Sequence, residues 1–115
     1  DHISLKVKSY VAYYNPERRT DTIGAMRFED DSMVPRVYPG VIAIYDRQEQ
    51  PKNGDYAIIA VGDESPTIRL YVEIDDIVSV LPMSPDYQGK TFPKSQAKAA
   101  AVKIIGKVIE FRREM

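Results

Sequence analysis

The sequence contains no cysteine, and its only histidine is His2. Without cysteine the chain cannot form a disulfide framework or a thiolate metal site. A single histidine near the first residue also argues against a Ser-His-Asp triad and against a metal centre with several histidine ligands. The composition therefore predicts no metal and no other cofactor.

Long hydrophobic runs and an excess of one charge are missing as well. No apolar run approaches the roughly 20 residues that a membrane helix needs, and no signal peptide is visible. The formal net charge is −1, and the cations are not clustered as sequence-independent DNA binding requires. We expect a cytoplasmic domain that binds neither a membrane nor, by itself, DNA. Because the first residue is Asp1 rather than methionine, we also expect a fragment of a longer protein.

The chain does contain many short segments of strand composition. With 115 residues, 43% of them hydrophobic, it has the size and balance of one domain. Turn signals separate the predicted strands, which are residues 3–14, 22–29, 41–45, 56–61, 67–74, 77–82 and 102–111. Asp75-Asp76 predicts a hairpin, residues 84–95 a loop, and residues 97–103 are too short for an independent helix. We predict one all-β (mainly β) domain over residues 1–115, a small twisted sandwich or partly open barrel.

Five short motifs follow one another along the chain. The first is Ser-Met-x-Pro, formed by Ser32, Met33 and Pro35. The others are Pro-Gly before an apolar strand (39–45), Asn-Gly-Asp before another (53–61), Thr-Ile-Arg-Leu (67–70), and Val-Leu-Pro (80–82) with a late Ile-Gly-Lys-Val (105–108). In this order, over about residues 11–112, they resemble the C-terminal domain of the LexA and phage-repressor family of serine–lysine self-cleaving proteins. The Pro-Gly turn departs from that family, where Gly-Asp is usual, because Val41 follows Gly40.

The resemblance implies roles for two residues. Ser32 stands at the nucleophile position, with Met33 and Pro35 shaping its turn, and Arg69 stands where the family has its general-base lysine. A serine hydroxyl is a poor nucleophile until a neighbour removes its proton, and a lysine can do so once burial lowers its pKa from about 10.4. A guanidinium, with a pKa above about 12, remains charged. We therefore predict that autoproteolysis is lost, whether the arginine is natural or engineered.

The segment that corresponds to the family's cleavage site agrees with this prediction. Family members cut after a small residue, usually within Ala-Gly, whereas the matching residues here are Ala12, Tyr13 and Tyr14. Two tyrosines would crowd a pocket built for small side chains. A second possibility is that the cleavage site lies upstream and that Asp1 is close to its product end.

Less specific interpretations exist for the same residues. Ser32 could be a turn serine or a helix cap. Arg69 could be a solvated strand residue paired with Glu73, or it could pair with Asp30 or Asp31, which favour a solvated turn over a metal site. A lysine from elsewhere is a further candidate for the base, and those considered are Lys94, Lys98 and Lys103.

For the whole domain we predict regulation and self-association of a prophage or stress-response transcriptional repressor. A helix-turn-helix domain absent from this chain would bind the operator DNA, and pairing two copies would raise affinity for a palindromic site. We expect a homodimer or a higher homo-oligomer joined through the final strand, because a free apolar edge tends to aggregate unless a second copy covers it. The dimer strand residues are Ile104, Ile105, Val108, Ile109 and Phe111.

The resemblance also implies partners and rival functions. A RecA filament stimulates cleavage in the family and is an expected partner, while an antirepressor protein is the alternative if cleavage is lost. The main rival function is an active serine–lysine autoprotease of the SOS-response type. A signal-peptidase-like enzyme shares Ser-Met-x-Pro but should carry a membrane anchor, and a plain interaction module would have no protease ancestry.

Overall fold

The computed structural model describes residues 21–113, which contain one antiparallel seven-stranded sheet. The strands are β1 (Ile23–Arg27), β2 (Val41–Asp46), β3 (Tyr56–Val61), β4 (Thr67–Ile74), β5 (Ile77–Leu81), β6 (Lys90–Pro93) and β7 (Val102–Arg113). Their order across the sheet is β1-β2-β7-β3-β4-β5-β6, so the sheet is open, with β1 and β6 at its ends. A 3-10 helix, Lys94–Gln96, follows β6. The predicted all-β class is confirmed.

Strand β3 is apolar along its length because both of its faces are covered. Successive side chains of a strand point to opposite faces, and Ile58 packs in one hydrophobic cluster while Ala57 and Ile59 pack in another. The first cluster also contains Met33 of the Ser-Met-x-Pro motif and Ile68 of β4. The Ser-Met-x-Pro motif is thus anchored in the core through its methionine.

The β4–β5 hairpin forms where the two aspartates predict it. Asp75 and Asp76 have φ angles of 50° and 65°, and two consecutive positive φ values are the mark of a type I′ turn. On both sides of the turn the strands pair in register from Ile74 opposite Ile77 to Leu70 opposite Leu81. This part of the fold is encoded locally.

The prediction of a loop over residues 84–95 is wrong in its second half. Residues Lys90–Pro93 form β6 and pair with β5, so that Phe92 lies opposite Val78. Only Phe92 of these four residues is buried, which leaves no alternating pattern to detect. A short edge strand with lysine and proline is a common way to protect a sheet from further pairing.

The final strand is longer than predicted and lies inside the sheet. Residues Lys107–Arg113 pair with β2 and residues Val102–Lys107 pair with β3 on the other side. Gly106 sits at this change of partner, where a Cβ atom would lie 2.7 Å from the carbonyl oxygen of Asp46. The close approach of the two backbones therefore requires glycine at this position.

The reason for expecting the dimer seam at this strand therefore needs correction. The strand that carries Ile104, Ile105, Val108, Ile109 and Phe111 is not a free edge, and these side chains contribute to the hydrophobic clusters. Each half of β7 nevertheless has a strand on one side only, among residues 21–113. No helix in this part of the chain is long and apolar enough to cross a membrane. The predicted strand over residues 3–14 lies outside the described residues.

Candidate active site

The Ser-Met-x-Pro motif lies in the turns between β1 and β2. The amides of Arg36 and Val37 both donate to the carbonyl oxygen of Met33, at 2.8 and 2.9 Å, and the Met33 side chain is completely buried in the core. The peptide bond between Val34 and Pro35 is cis. These contacts hold the segment against the sheet with Ser32 facing β4.

The segment after β5 holds Ser32 from the other side. The amides of Met83 and Ser84 both donate to the Ser32 carbonyl oxygen at 2.9 Å. Ser32 has no solvent-exposed surface, although serine is mostly an exposed residue. A buried hydroxyl needs hydrogen-bond partners, and the structure provides them.

The Ser32 hydroxyl lies between a carboxylate and a guanidinium. Its Oγ donates to Asp30 Oδ1 at 2.5 Å and accepts from Arg69 Nη1 at 2.7 Å. The structure thus brings together Ser32 and Arg69, the two residues for which the family resemblance implies the nucleophile and base positions. The same Arg69 nitrogen donates to the Ile68 carbonyl oxygen at 2.8 Å, which fixes its position on β4.

Thr67 completes a closed set of polar contacts. Its hydroxyl donates to Asp30 Oδ2 at 2.9 Å and accepts from Arg69 Nη1 at 3.3 Å. The carboxylate of Asp30 is therefore linked to the guanidinium of Arg69 through two hydroxyls, those of Ser32 and Thr67. Thr67 belongs to the Thr-Ile-Arg-Leu motif but was not predicted as a site residue, although residues two apart on a strand share a face and its place beside Arg69 was detectable.

The pKa values of the two charged groups follow from these contacts. Partial burial acts to raise the pKa of Asp30, but the hydroxyl and amide of Ser32, the Thr67 hydroxyl and the Arg69 charge together bring it below its ordinary value. Burial lowers the pKa of Arg69, while electrostatic interactions with Asp30, Tyr87 and Glu64 oppose that change. A guanidinium starts from so high a pKa that it remains protonated at neutral pH.

Tyr87 covers the site from the loop before β6. Its hydroxyl donates to Asp31 Oδ1 at 2.6 Å, and the guanidinium carbon of Arg69 lies 5.9 Å from the centre of its ring. Its hydrogen bond to Asp31, with partial burial, raises the pKa of the Tyr87 hydroxyl. Sequence reasoning did not single out Tyr87, because its separation from Asp31 is 56 residues and only the fold brings them together.

Glu73, considered as a partner of Arg69, and the lysines considered as a base for Ser32 lie elsewhere. Glu73 accepts hydrogen bonds from the Tyr71 hydroxyl at 2.7 Å and from Lys94 Nζ at 3.3 Å. Lys98 and Lys103 line a surface pocket with Gly62 and Ala101. In residues 21–113 the side-chain partners of Ser32 Oγ are Asp30 and Arg69, and no lysine contacts it. Ala12, Tyr13 and Tyr14 of the expected cleavage segment lie outside the described residues.

This arrangement gives the serine hydroxyl a hydrogen-bond acceptor for its proton and a donor to its oxygen. The hydroxyl proton points to the carboxylate of Asp30, which is a weak base because its pKa is lowered. The hydroxyl oxygen accepts a hydrogen bond from Arg69. The Ser32 amide, a group that helps to bind the oxyanion in serine peptidases, donates instead to Asp30 Oδ1 at 2.9 Å. Within the described part of the chain, no group of three or more His, Cys, Asp or Glu side chains could hold a metal ion.

A family model described as Peptidase S24-like matches residues 2–109 of the chain. The match includes all the residues that line the site, from Asp30 to Tyr87. No curated protein matches the chain.

Proposed function

We propose that the chain, which belongs to the Peptidase S24-like family, is the regulatory and self-association domain of a transcriptional repressor of the LexA and phage type, with autoproteolysis lost. The observation that carries the proposal is the 2.7 Å contact between Arg69 Nη1 and Ser32 Oγ. In the proteins that the chain resembles, a lysine amine occupies this place and takes the serine proton. Here we assign the nucleophile position to Ser32 and the position of the base to Arg69, with Met33 and Pro35 supporting the turn.

The magnitude of the required pKa change favours loss of activity. A general base works best when its pKa is near the operating pH. Lowering a guanidinium from above about 12 to about 7 takes at least five pKa units, or about 7 kcal/mol at about 1.36 kcal/mol per unit. That cost is comparable with the whole stability of a small domain, about 5–15 kcal/mol. A nearby carboxylate makes deprotonation harder still, because it favours the charged form of Arg69.

A domain without its chemistry can still join two copies of a repressor. The C-terminal half of β7 pairs with β2 on one side and has no strand on the other among residues 21–113. We place the seam of a homodimer on that open side, with β7 antiparallel to its own copy. A pairing centred on Phe111 sets Glu110 of one copy opposite Arg112 of the other, and opposite charges across a strand pair are favourable.

We infer the role of such a dimer from the repressors that the chain resembles. A separate DNA-binding domain of the full-length protein would contact the operator, in the cytoplasm, and the dimer would hold two such domains at the spacing of the half-sites. Release from DNA would then come from an antirepressor protein or from proteolysis by another enzyme. A RecA filament is the partner in the alternative in which cleavage persists.

Self-cleavage of the full-length protein tests the loss of chemistry. At about pH 10, close to the ordinary pKa of lysine, a serine–lysine autoprotease of the family is expected to cut itself. We expect the wild-type protein to stay as intact as the Ser32→Ala control when both are followed by gel electrophoresis and mass spectrometry. Cleavage of the wild type that Ser32→Ala abolishes would overturn the proposal.

One contact favours a second candidate function. Asp30 Oδ1 lies 2.5 Å from Ser32 Oγ and is the group placed to accept its proton. An active autoprotease with Asp30 as base would cut itself in the same incubation, and Asp30→Asn would stop the reaction. A lysine base would instead leave cleavage dependent on a lysine and largely insensitive to that substitution.

Charge reversal tests the dimer seam. Glu110→Arg and Arg112→Glu each place like charges across the proposed pairing, so each should raise the dimer dissociation constant about five- to ten-fold, an effect of about 1 kcal/mol. The double variant restores the complementary pair and should recover most of the affinity. Sedimentation equilibrium measures all four proteins, and a double variant as weak as the sum of the single effects would contradict this seam.

A further inference from the structure

We propose that Asp30 is a second determinant of inactivity at this site: its carboxylate keeps any amine at position 69 charged, so that Arg69→Lys alone creates no base. The inference rests on the proposed function, in which position 69 is the position of the base. Asp30 stands at neither of the two positions, 32 and 69, to which the proposed function assigns the nucleophile and the base. We also predict that the site cannot regain its chemistry by one substitution.

The geometry puts the carboxylate within reach of whatever cation occupies position 69. Both of its oxygens accept hydrogen bonds from hydroxyls that Arg69 Nη1 itself contacts, those of Ser32 and Thr67. An amine that replaces the guanidinium and reaches Ser32 Oγ must therefore come close to Asp30. A carboxylate within about 4–6 Å of a basic group shifts its pKa by about 1–3 units towards the charged form.

Asp30 also engages the two groups of Ser32 that a reaction would need. The Ser32 hydroxyl directs its proton to Asp30, and the Ser32 amide donates to the same oxygen. A base at position 69 would have to compete for that proton with an acceptor already in place. Two separate effects thus have one origin, the side chain at position 30.

The neighbouring Asp31 provides a matched control. It carries the same charge one residue further along the chain, but it is exposed and binds the Tyr87 hydroxyl instead of Ser32. Solvent screens a charge in that position. Removing the charge of Asp31 should therefore have far less effect on an amine at position 69 than removing that of Asp30.

The pKa of the introduced lysine is the direct measurement. We would label the lysine side chains with carbon-13 and nitrogen-15, follow their resonances by NMR from about pH 6 to 12, and assign the new signal by its absence from the wild type. The proteins are Arg69→Lys, Arg69→Lys with Asp30→Asn, and Arg69→Lys with Asp31→Asn. Asp30→Ala replaces Asp30→Asn if the asparagine variant does not fold, as judged by its amide spectrum.

We expect the introduced lysine to titrate at or above about 10 in the single variant, close to its ordinary pKa. With Asp30→Asn it should titrate about 1–3 units lower, while Asp31→Asn should shift it by less than about half a unit. A pKa near neutrality in the single variant, or equal shifts for the two asparagine variants, would overturn the role of Asp30. Neither result bears on the loss of chemistry in the wild type, which the cleavage experiment decides independently.

Discussion

Strand β4 carries two charged networks that differ in their access to water. Around Arg69 the polar atoms of Ser32, Thr67 and Asp30 satisfy one another beside the core. Around Glu73 a salt bridge to Lys94, 3.3 Å long, lies at the surface, with the lysine side chain 60% exposed. The two networks use the same kinds of group only a few residues apart. Their contributions should nevertheless differ, because water can replace a partner in the second network and has no access to Ser32 in the first.

The largest expected effect comes from removing one cation from each network. Arg69→Met removes the donor to the Ser32 and Thr67 hydroxyls and the positive charge beside the Asp30 carboxylate, so we expect a loss of about 2–3 kcal/mol in the free energy of unfolding. Lys94→Met breaks an exposed pair and should change it by less than about 0.5 kcal/mol. Urea denaturation of both variants checks the difference, and similar losses would show that the two networks are equivalent.

A smaller effect should appear on acidification. The pKa of Asp30 is lowered in the folded protein, so its contribution to stability is present above the unfolded value of about 3.9 and is lost as the pH falls below it. The pKa of Glu73 is also lowered, by hydrogen bonds from Tyr71 and Lys94. Asp30→Asn should therefore flatten the decline of the melting temperature between about pH 4 and 2.

The dependence on salt separates the two carboxylates in that experiment. Glu73→Gln should flatten the same decline mainly at low ionic strength, because salt at about 1 M screens the exposed pair with Lys94, although not the hydrogen bond from Tyr71. The Asp30→Asn effect should persist in about 1 M salt. An Asp30→Asn effect that disappears with salt would place Asp30 in the same class as Glu73.

The smallest effect concerns the tyrosine that borders the surface network. Burial, together with the hydrogen bond to Glu73 and its charge, raises the pKa of Tyr71 to about 12. Because the neutral form is favoured in the folded state, this contribution is complete below about pH 10 and is lost as the pH rises through about 12. Tyr71→Phe should remove one late-titrating tyrosine from the ultraviolet absorbance curve. If Tyr71→Phe instead removes a tyrosine that titrates near pH 10, that result would contradict the burial of the Tyr71 hydroxyl.

Sequence reasoning succeeded where the signal is local or carried by an ordered set of motifs. The Asp75-Asp76 turn needs only two residues that tolerate positive φ, and β3 needs only a continuous apolar run. It failed at β6 and Tyr87, where the deciding contacts join residues far apart in the chain. It also failed on the position of β7, because an apolar strand looks the same at an edge as in the middle of a sheet.

The amino-acid sequence by itself determined the all-β class, the hairpin turn and the charge at position 69, since these depend on composition, backbone preference and the fixed protonation of a guanidinium. Only the tertiary structure decided which groups that charge meets. Packing of Met33 into the core buries Ser32, and burial obliges its hydroxyl to find partners in Asp30 and Arg69. Such partners are selected by the cost of an unsatisfied buried polar group, and that cost exists only once the chain has folded.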